Sequence, residues 1–489
     1  MRTPKLQRAH HLETAKPIIS KEDIKRLLDV EKLKYCYECG ICTASCSVAE
    51  LLGKDYNPRS FLEKIFLNPK EALTSEELWL CAWCYRCYKR CPQALRLPEI
   101  FLFMRKKAAI YGYTEPFKKA LSKIVENIPL PLVTMLVCFH PERATLNIGK
   151  ILAETEKMLK DQMKTKKRKK AAKFSGEKIA VIGSGPAGLT VAYELARKGH
   201  NVTIFEALHE LGGMLRKCIP EYRLPKRVLT KQIQFIKDLG VEVKTSVTVG
   251  NDLNFGDLWK EGYRAIFIGV GAHKSQKLKI EGGDLEGVIH ALNFLWSTNC
   301  GEKMEVGKNV IVIGGGNVAI DSAKTALALG AKEVTILYRR SKEEMPANPW
   351  DIKEAENEGV KIELLVAPKT ILGEKGRVTD IECIQMQLGE PDETGRRKPM
   401  PIEGSEFTRK ADMVILAIGE VPDLEFLPKE IELNDDGTVW VNPITMETSL
   451  QGVFAGGDVA TGPATVIEAI LAGKRAAASI ESYLEHLGG

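Results

Sequence analysis

The chain has 489 residues, 44% of them apolar and 27% charged, with a net charge of +6 and twelve cysteines. The length suits about three domains of roughly 150 residues, and the composition is that of a globular protein, not of a disordered or fibrous one. The opening MRTPKLQRAHHLETAKP lacks the apolar core of a secretory signal. With eight cysteines at regular spacing, this points away from a secreted disulfide scaffold and towards metal ligation in a reducing cytoplasm.

In chain order, residues 1 to about 35 read as a polar lead-in with one amphipathic helix, capped by Ser20 and with Ile24, Leu27 and Leu28 on its apolar side. A cysteine-rich module runs on to about residue 150. The 34 residues between its two cysteine runs read as helical. Pro58 can open a helix with Phe61, Leu62 and Ile65 on the inner side, and Thr74 with Glu77 has the pattern of a capping box for another. The apolar stretch 128–139 is too short to span a bilayer and carries Pro129 and Pro131, so a buried or surface-docking segment is expected. The basic run Lys164, Lys166, Lys167, Arg168, Lys169 and Lys170 reads as a solvated linker in preference to a nucleic-acid patch. From Lys178 onward, short Val/Ile strands ending in glycine loops alternate with helices, the pattern of a parallel sheet.

The cysteine runs share one spacing. CYECGICTASC carries Cys36, Cys39, Cys42 and Cys46; CAWCYRCYKRCP carries Cys81, Cys84, Cys87 and Cys91. Both are C-x2-C-x2-C-x3-C, in which three cysteines bind one cluster and the fourth reaches across to the other. Cys36, Cys39, Cys42 and Cys91 are therefore expected to hold one [4Fe–4S] cluster, and Cys81, Cys84, Cys87 and Cys46 a second. Zinc, the alternative for C-x2-C pairs, needs four ligands per ion, commonly as two separated pairs, and would leave the third and fourth cysteines of each run superfluous. With YNPR and LWLCAWCYRCYKRCPQ between and around the runs, residues 30–145 resemble the C subunit of heterodisulfide reductases, which implies an α-helical ferredoxin module. Ser47 departs from the proline that often follows the fourth cysteine; Pro92 does follow Cys91.

The segment EKIAVIGSGPAGLTVAYELARKGHNVTIFEA has the parts of a dinucleotide-binding fold. A strand runs into Gly183, Gly185, Pro186, Ala187 and Gly188, a helix follows, and a second strand ends in Glu206, placed to bond ribose hydroxyls. A second unit, KNVIVIGGGNVAIDSAKTALALGAKEVTILYRR, has Gly314 and Gly316, then Asn317, Val318 and the small Ala319, and its second strand ends in Arg339 and Arg340. A carboxylate at that place repels a 2′-phosphate, and two guanidinium groups attract one. The first fold is thus expected to take FAD and the second NADP(H). Later, Gly456, Gly457 and Asp458 end a strand, and a helix follows that takes in Thr465; its N-terminus would favour negative charge on a reduced flavin.

Residues 176–489 resemble the small subunit of NADPH-dependent glutamate synthase. The same module occurs in the large subunit of NADH-dependent ferredoxin:NADP oxidoreductase and in dihydropyrimidine dehydrogenase. The resemblance is carried by GGMLRKCIPEYRLPK (212–226), IGVGAHKS (268–275), LYRRSKEEMPA (337–347), GRRKPMPIEGSEF (395–407) and GGDVATGPATVIEAILAGKRAA (456–477). It implies that Gly213, Met214, Arg223, Asp458 and Ile467 lie near FAD, and Arg339, Arg340 and Ala347 near NADPH. The expected fold class is an α/β two-dinucleotide-binding, Rossmann-like flavoprotein with an N-terminal α-helical ferredoxin domain. The expected division is 1–150 ferredoxin domain, 151–175 basic linker, 176–290 FAD-binding part, 291–415 NADP(H)-binding domain and 416–489 the C-terminal FAD-binding part.

Hydride arrives as two electrons and a cluster takes one, so a flavin between them is chemically required. Cys218, Cys300 and Cys383 stand alone in the nucleotide folds and Cys138 lies outside them, so thiol exchange is not expected. No site for a final organic substrate is visible. The expected protein is a cytoplasmic electron-transfer subunit in a hetero-oligomer, neither nucleic-acid-binding nor an integral membrane protein. Its partner is a larger redox subunit, heterodisulfide-reductase-like or a glutamate-synthase large subunit, or a ferredoxin-like carrier, and flavin-based bifurcation is open. A non-catalytic redox sensor or scaffold would have no need of ligand sets intact at all four sites.

Overall fold

A computed structural model describes residues 19, 21–27, 30–169, 176–392 and 395–487. Ser20, Leu28 and Lys170 lie outside these residues, and the side chains of Leu27 and of the rest of the basic run are likewise not described. The chain forms two compact units, one of residues 1–127 and 139–153, the other of residues 128–138 and 154–489.

The first unit is helical. Asn57 accepts bonds from the N–H groups of Arg59 and Ser60, both at 3.1 Å, and opens the helix Pro58–Leu67, whose inner side is Phe61, Leu62 and Ile65. The expected Thr74/Glu77 box is replaced by a one-residue shift. Thr74 ends the helix Pro69–Leu73, and Ser75 caps the short turn Glu76–Trp79 by accepting from the Glu77 N–H. Glu77 is drawn away instead, into an ion pair with Lys64. The helix Leu97–Ile110 buries Leu97, Ile100, Phe101, Met104 and Ala108, one face at helical spacing, and Phe101 packs on Phe61 at 5.2 Å.

The stretch expected as linker is a helix over Ile148–Lys169. Ile151, Thr155 and Leu159 recur at steps of four and are buried, an apolar stripe that the lysine-rich composition hides. In the second unit, Leu130, Leu132, Val133 and Met135 are buried as expected, and the Leu132 N–H donates to Gln232 at 2.9 Å. Among the described residues no helix is long and apolar enough to cross a membrane.

Two five-stranded parallel sheets follow. The first has the order Val453–Ala455, Ala265–Ile268, Lys178–Ile182, Asn201–Glu206, Glu242–Thr245, so a strand from near the C-terminus completes it. The second has the order Val288–His290, Met413–Leu416, Asn309–Ile313, Glu333–Tyr338, Lys361–Leu364. Their central strands are buried almost end to end, which fits parallel sheets covered on both faces. One face of the second sheet is covered not by helices but by an antiparallel sheet of Val366–Glu374, Arg377–Pro391, Arg397–Pro401 and Phe407–Lys410. Val366, Ile371, Val378 and Ile381 from it share a core with Ile311, Ile313, Val414 and Leu416. The sequence reading had no element there.

Candidate functional site

The two cysteine loops are built alike from different residues. Gly40 ends the turn Cys36–Cys39 at φ +67, and Tyr85 holds the same place in the second run at φ +58, where a non-glycine residue costs about 1–2 kcal/mol. Tyr85 is 1% exposed and packs against Trp83 at 5.5 Å, so the ring is what holds that backbone. The fourth cysteines match too. Ala49 N–H donates to the Cys46 sulfur and Leu95 N–H to the Cys91 sulfur, both at 3.4 Å. Ser47, where proline was the expected residue, simply begins the helix Ser47–Leu52 behind Cys46.

The fold brings the fourth cysteine of each run to the first three of the other. Burial pushes the Cys36 thiol up to about 11, and Cys91, Cys42 and Cys39 around it add to the shift. Burial pushes Cys46 up to about 12 against the Ala49 N–H, with Cys84 and Cys81 adding to it. A bound metal would take the protons from thiols crowded in this way. Cys36, Cys39, Cys42 and Cys91 line one open cavity. Among the described residues no three His, Cys, Asp or Glu side chains converge tightly enough to grip a single metal ion. Four sulfurs spread around a cavity fit an iron–sulfur cubane and not a zinc ion.

In the first glycine loop a Cβ at Gly183, whose φ is +95, would lie 2.5 Å from the Gly269 carbonyl oxygen, and one at Gly188 would lie 2.1 Å from that of Gly183. Gly185 meets nothing nearer than 3.9 Å, so the loop is open on the side that a pyrophosphate would approach. Pro186 and Ala187 begin the helix Pro186–Lys198, with no side chain capping its N-terminus. Glu206 turns inward. One carboxylate oxygen accepts from the N–H and hydroxyl of Ser184, the other from the Leu208 N–H at 3.0 Å. The Ser184 hydroxyl also accepts from Gly212 N–H at 2.9 Å, which fastens the loop of Gly213 and Met214 to the glycine turn. Asp458, next to Gly457, accepts from Ala464 N–H at 3.1 Å. Burial pushes its carboxyl up to about 7, against the Ala464 bond and with help from Glu468 and Glu420. Thr465 donates through N–H and hydroxyl to Glu468, and Ile467 is fully buried in the first turn of the helix Val466–Leu487.

The second glycine loop is also open. Nothing lies within 4 Å of a Cβ at Gly316, and Ala319 is buried without a clash where the first fold needs Gly188. Asn317 accepts from Asn348 N–H at 3.1 Å, and Ala347 N–H donates to the Gly315 carbonyl at 3.0 Å, so residues 347–348 lean on the loop; Gly314 precedes it and Val318 packs into the core behind. The two arginines differ. Arg340 is 6% exposed and spoken for, donating to Asp392 at 2.7 Å and to the Arg397 carbonyl at 2.9 Å. Arg339 is exposed, with burial of its stem, Arg340 and Arg396 making its guanidinium less basic than usual. Asp392, which follows the strand Arg377–Pro391, left no signal in the sequence beyond a turn.

Arg223 sits between the second fold's Asp321, at 2.7 Å, and Asp351, at 3.3 Å, and Tyr222 donates to Asp321 at 2.8 Å. Burial opposes its charge, but the two carboxylates overcome it and hold the guanidinium fully protonated. The structure thus brings Arg223 to the NADP(H)-type fold. Cys218 and Cys383 are buried, Cys300 is exposed, and each is a free thiol.

The profile of the pyridine nucleotide-disulphide oxidoreductase family matches residues 177–473, and that of a 4Fe-4S dicluster domain matches residues 32–95. The chain is 47% identical over 313 residues to the β subunit of NADP(+)-dependent formate dehydrogenase of Moorella thermoacetica, which covers 63% of this chain and 44% of that one. It is 37% identical to the β subunit of NADPH-Fe(3+) oxidoreductase of Geobacter sulfurreducens over 82% of this chain and 63% of that one. It is also 37% identical to the small chain of glutamate synthase [NADPH] of Escherichia coli over 64% and 70%. The chain therefore spans about half to two thirds of the length of the first two relatives. In fold it is similar to FprA from Mycobacterium tuberculosis, with a TM-score of 0.56 at 19% identity over 64% of this chain and 86% of that one. Thioredoxin reductase of Lactococcus lactis is similar too, at 0.51 and 21% over 63% and 99%. The chain belongs to the pyridine nucleotide-disulphide oxidoreductase family and carries a 4Fe-4S dicluster domain ahead of that fold.

Proposed function

We propose that the protein is an electron-transfer subunit that exchanges electrons between NADPH and two [4Fe–4S] clusters by way of FAD, and passes them to or takes them from a larger redox partner. The observation that carries this reading is the pairing, in one chain, of two open glycine loops that end in opposite charge with two interleaved sets of four cysteines. The cofactors supply the conversion between hydride and single electrons. The chain's own residues select and hold them. Glu206 stiffens the first glycine turn through Ser184 and presents a carboxylate unsuited to a 2′-phosphate; Arg339 offers that phosphate a cation; the cysteines supply soft anionic ligands.

The β-subunit names of the two relatives above support a partner subunit, and the glutamate-synthase small chain supports a reading in which the partner is a glutamate-forming large subunit. The alignment that extends over 82% of the chain is with the NADPH-Fe(3+) oxidoreductase β subunit. That favours a partner served through the cysteine module. Anaerobic titration with NADPH should bleach the flavin absorbance and then reduce the clusters. A flavin that stays oxidised under NADPH refutes the reading. Recovery of the native complex, with identification of the co-purifying subunit, tests the partner.

A further inference from the structure

Arg105 is a buried cation that no carboxylate pairs with at ion-pair distance among the described residues. It is 2% exposed, on the helix Leu97–Ile110. Its guanidinium donates to three carbonyls, those of Cys81 at 2.7 Å, Leu78 at 2.8 Å and Phe139 at 3.1 Å, and lies 5.8 Å from the Trp79 ring. Carbonyls satisfy its N–H groups but not its charge, and a buried charge needs an opposite one to be stable. The groups that act on it electrostatically are, in order, Cys81, Tyr56 and Glu142. Glu142 is the weakest of these and is bonded to His140 at 3.1 Å. Tyr56, 2% exposed, acts on Cys81 and favours the charged form of its thiol, against the burial that raises its pKa.

We propose that Arg105 is the internal counter-ion of the cluster held by Cys81, Cys84, Cys87 and Cys46, and that with Tyr56 it raises that cluster's reduction potential. The inference rests on the two-cluster reading above. Four deprotonated thiolates leave a cubane net negative, and one-electron reduction adds a further negative charge. A fixed cation in a medium of low dielectric stabilises the reduced form more than the oxidised one, and so does a group that favours the charged form of a ligand sulfur. A guanidinium cannot escape this role by losing its proton. Among the described residues, the groups that act most on Cys36 and Cys42 of the other set include no buried cation of this kind. There the positive group acting on Cys36 is Arg59, half-buried on the helix Pro58–Leu67. The two clusters are thus served by different arginines, and each can be shifted alone. Arg105 acts through the Cys81 loop and is a positioning and tuning residue.

The test is potentiometric titration with dithionite of the full chain, followed by electron paramagnetic resonance, after iron and sulfide have been counted. Wild type should carry about eight irons and show two one-electron waves. Fewer than eight irons, or a single wave, would refute the two-cluster reading itself. With eight irons present, Arg105→Gln should lower one wave by at least a tenfold change in that cluster's reduced-to-oxidised ratio at fixed potential, about 59 mV, and leave the other in place. Tyr56→Phe should lower the same wave by less, and Arg59→Gln should lower the other wave. Arg105→Lys, which keeps the charge but loses most of the fork, should shift the wave less than Arg105→Gln. A merely structural arginine would lose stability equally in both variants and move neither wave. The proposal is overturned if Arg105→Gln leaves both waves unmoved, or if Arg105→Gln and Arg59→Gln move the same one. Where Arg105→Gln takes up no iron, Tyr56→Phe decides alone, and unmoved waves in it overturn the proposal.

Discussion

The two glycine loops of the second unit use one backbone device for two purposes. In both, a parallel strand runs into a turn that opens on a helix N-terminus, and the middle glycine faces open space. They part at two points. The third small residue is Gly188 in the first fold and Ala319 in the second, and the second strand ends in Glu206 in one and in Arg339–Arg340 in the other. The first difference sets how closely helix and strand approach. The second sets the charge at the ribose. Loop geometry alone therefore does not distinguish the two sites; the chemistry at the strand end does.

The largest effect should come from exchanging the third residue. Gly188→Ala places a methyl 2.1 Å from the Gly183 carbonyl oxygen, backbone that cannot step aside. A loss on the order of 3–5 kcal/mol and of bound flavin is expected. Ala319→Gly, in the looser second fold, should cost only about 1 kcal/mol, as glycine does in a helix. Thermal unfolding of both variants checks this; equal losses would erase the asymmetry.

Next comes a residue that only the first fold has. Burial raises the Asp458 carboxyl from 3.8 to about 7. The folded state then binds this proton more tightly than the unfolded state. The stability it contributes is complete below about pH 4, falls as pH rises, and is gone above about pH 7, a loss of at most a few kcal/mol. Asp458→Asn does not titrate. The flavin-free variant should melt above wild type near pH 8, with the gap closing towards about pH 5, and should bind FAD less tightly. A gap that is constant with pH would mean that the carboxyl titrates normally.

How much of this was legible in the sequence follows from how local each feature is. The cysteine runs, the glycine turns and the strand-end charges are set by neighbours in sequence and could be read there, but the inward turn of Glu206 onto Ser184 and Leu208 could not. Phe61, Leu62 and Ile65 were legible for the same reason. What stayed hidden depends on distant partners. The antiparallel sheet that covers the second parallel sheet has strands with irregular burial, because bulges interrupt its register. The helix Ile148–Lys169 has its apolar stripe diluted by lysines. Arg105 was invisible, since one arginine in an apolar helix announces nothing until the carbonyls of Leu78, Cys81 and Phe139 are seen around it. Arg339 and Arg340 look equivalent in sequence; Asp392, some fifty residues on, makes them unequal.

That inequality predicts a split of moderate size. Arg339→Ala removes the exposed cation and should weaken NADPH by about 10- to 100-fold, the value of a charge-assisted bond of roughly 1.5–3 kcal/mol, while leaving NADH unchanged. Arg340→Ala removes one ion pair of Asp392 and should lower the melting temperature along with affinity for both nucleotides. Dissociation constants for the two nucleotides decide it. Equal losses of NADPH and NADH in Arg339→Ala would refute the 2′-phosphate role.

The smallest effect is expected at Glu206. Its two oxygens accept from three donors, Ser184 N–H, Ser184 hydroxyl and Leu208 N–H. Glu206→Gln keeps one acceptor oxygen and turns an NH2 group towards a donor that cannot accept from it. One bond of the set is lost, at about 1 kcal/mol, and the glycine turn is held less firmly through Ser184. The variant should bind FAD several-fold more weakly with its fold intact, and the charge that repels a 2′-phosphate is gone. The first fold would then tolerate an NADP-type ribose better than wild type does, and the second fold would be unaffected. Competition of NADP(H) against FAD in the flavin-stripped variant measures that tolerance. No gain over wild type would show that the strand-end charge discriminates only in the second fold, and the contrast between the two loops would then rest on Arg339 alone.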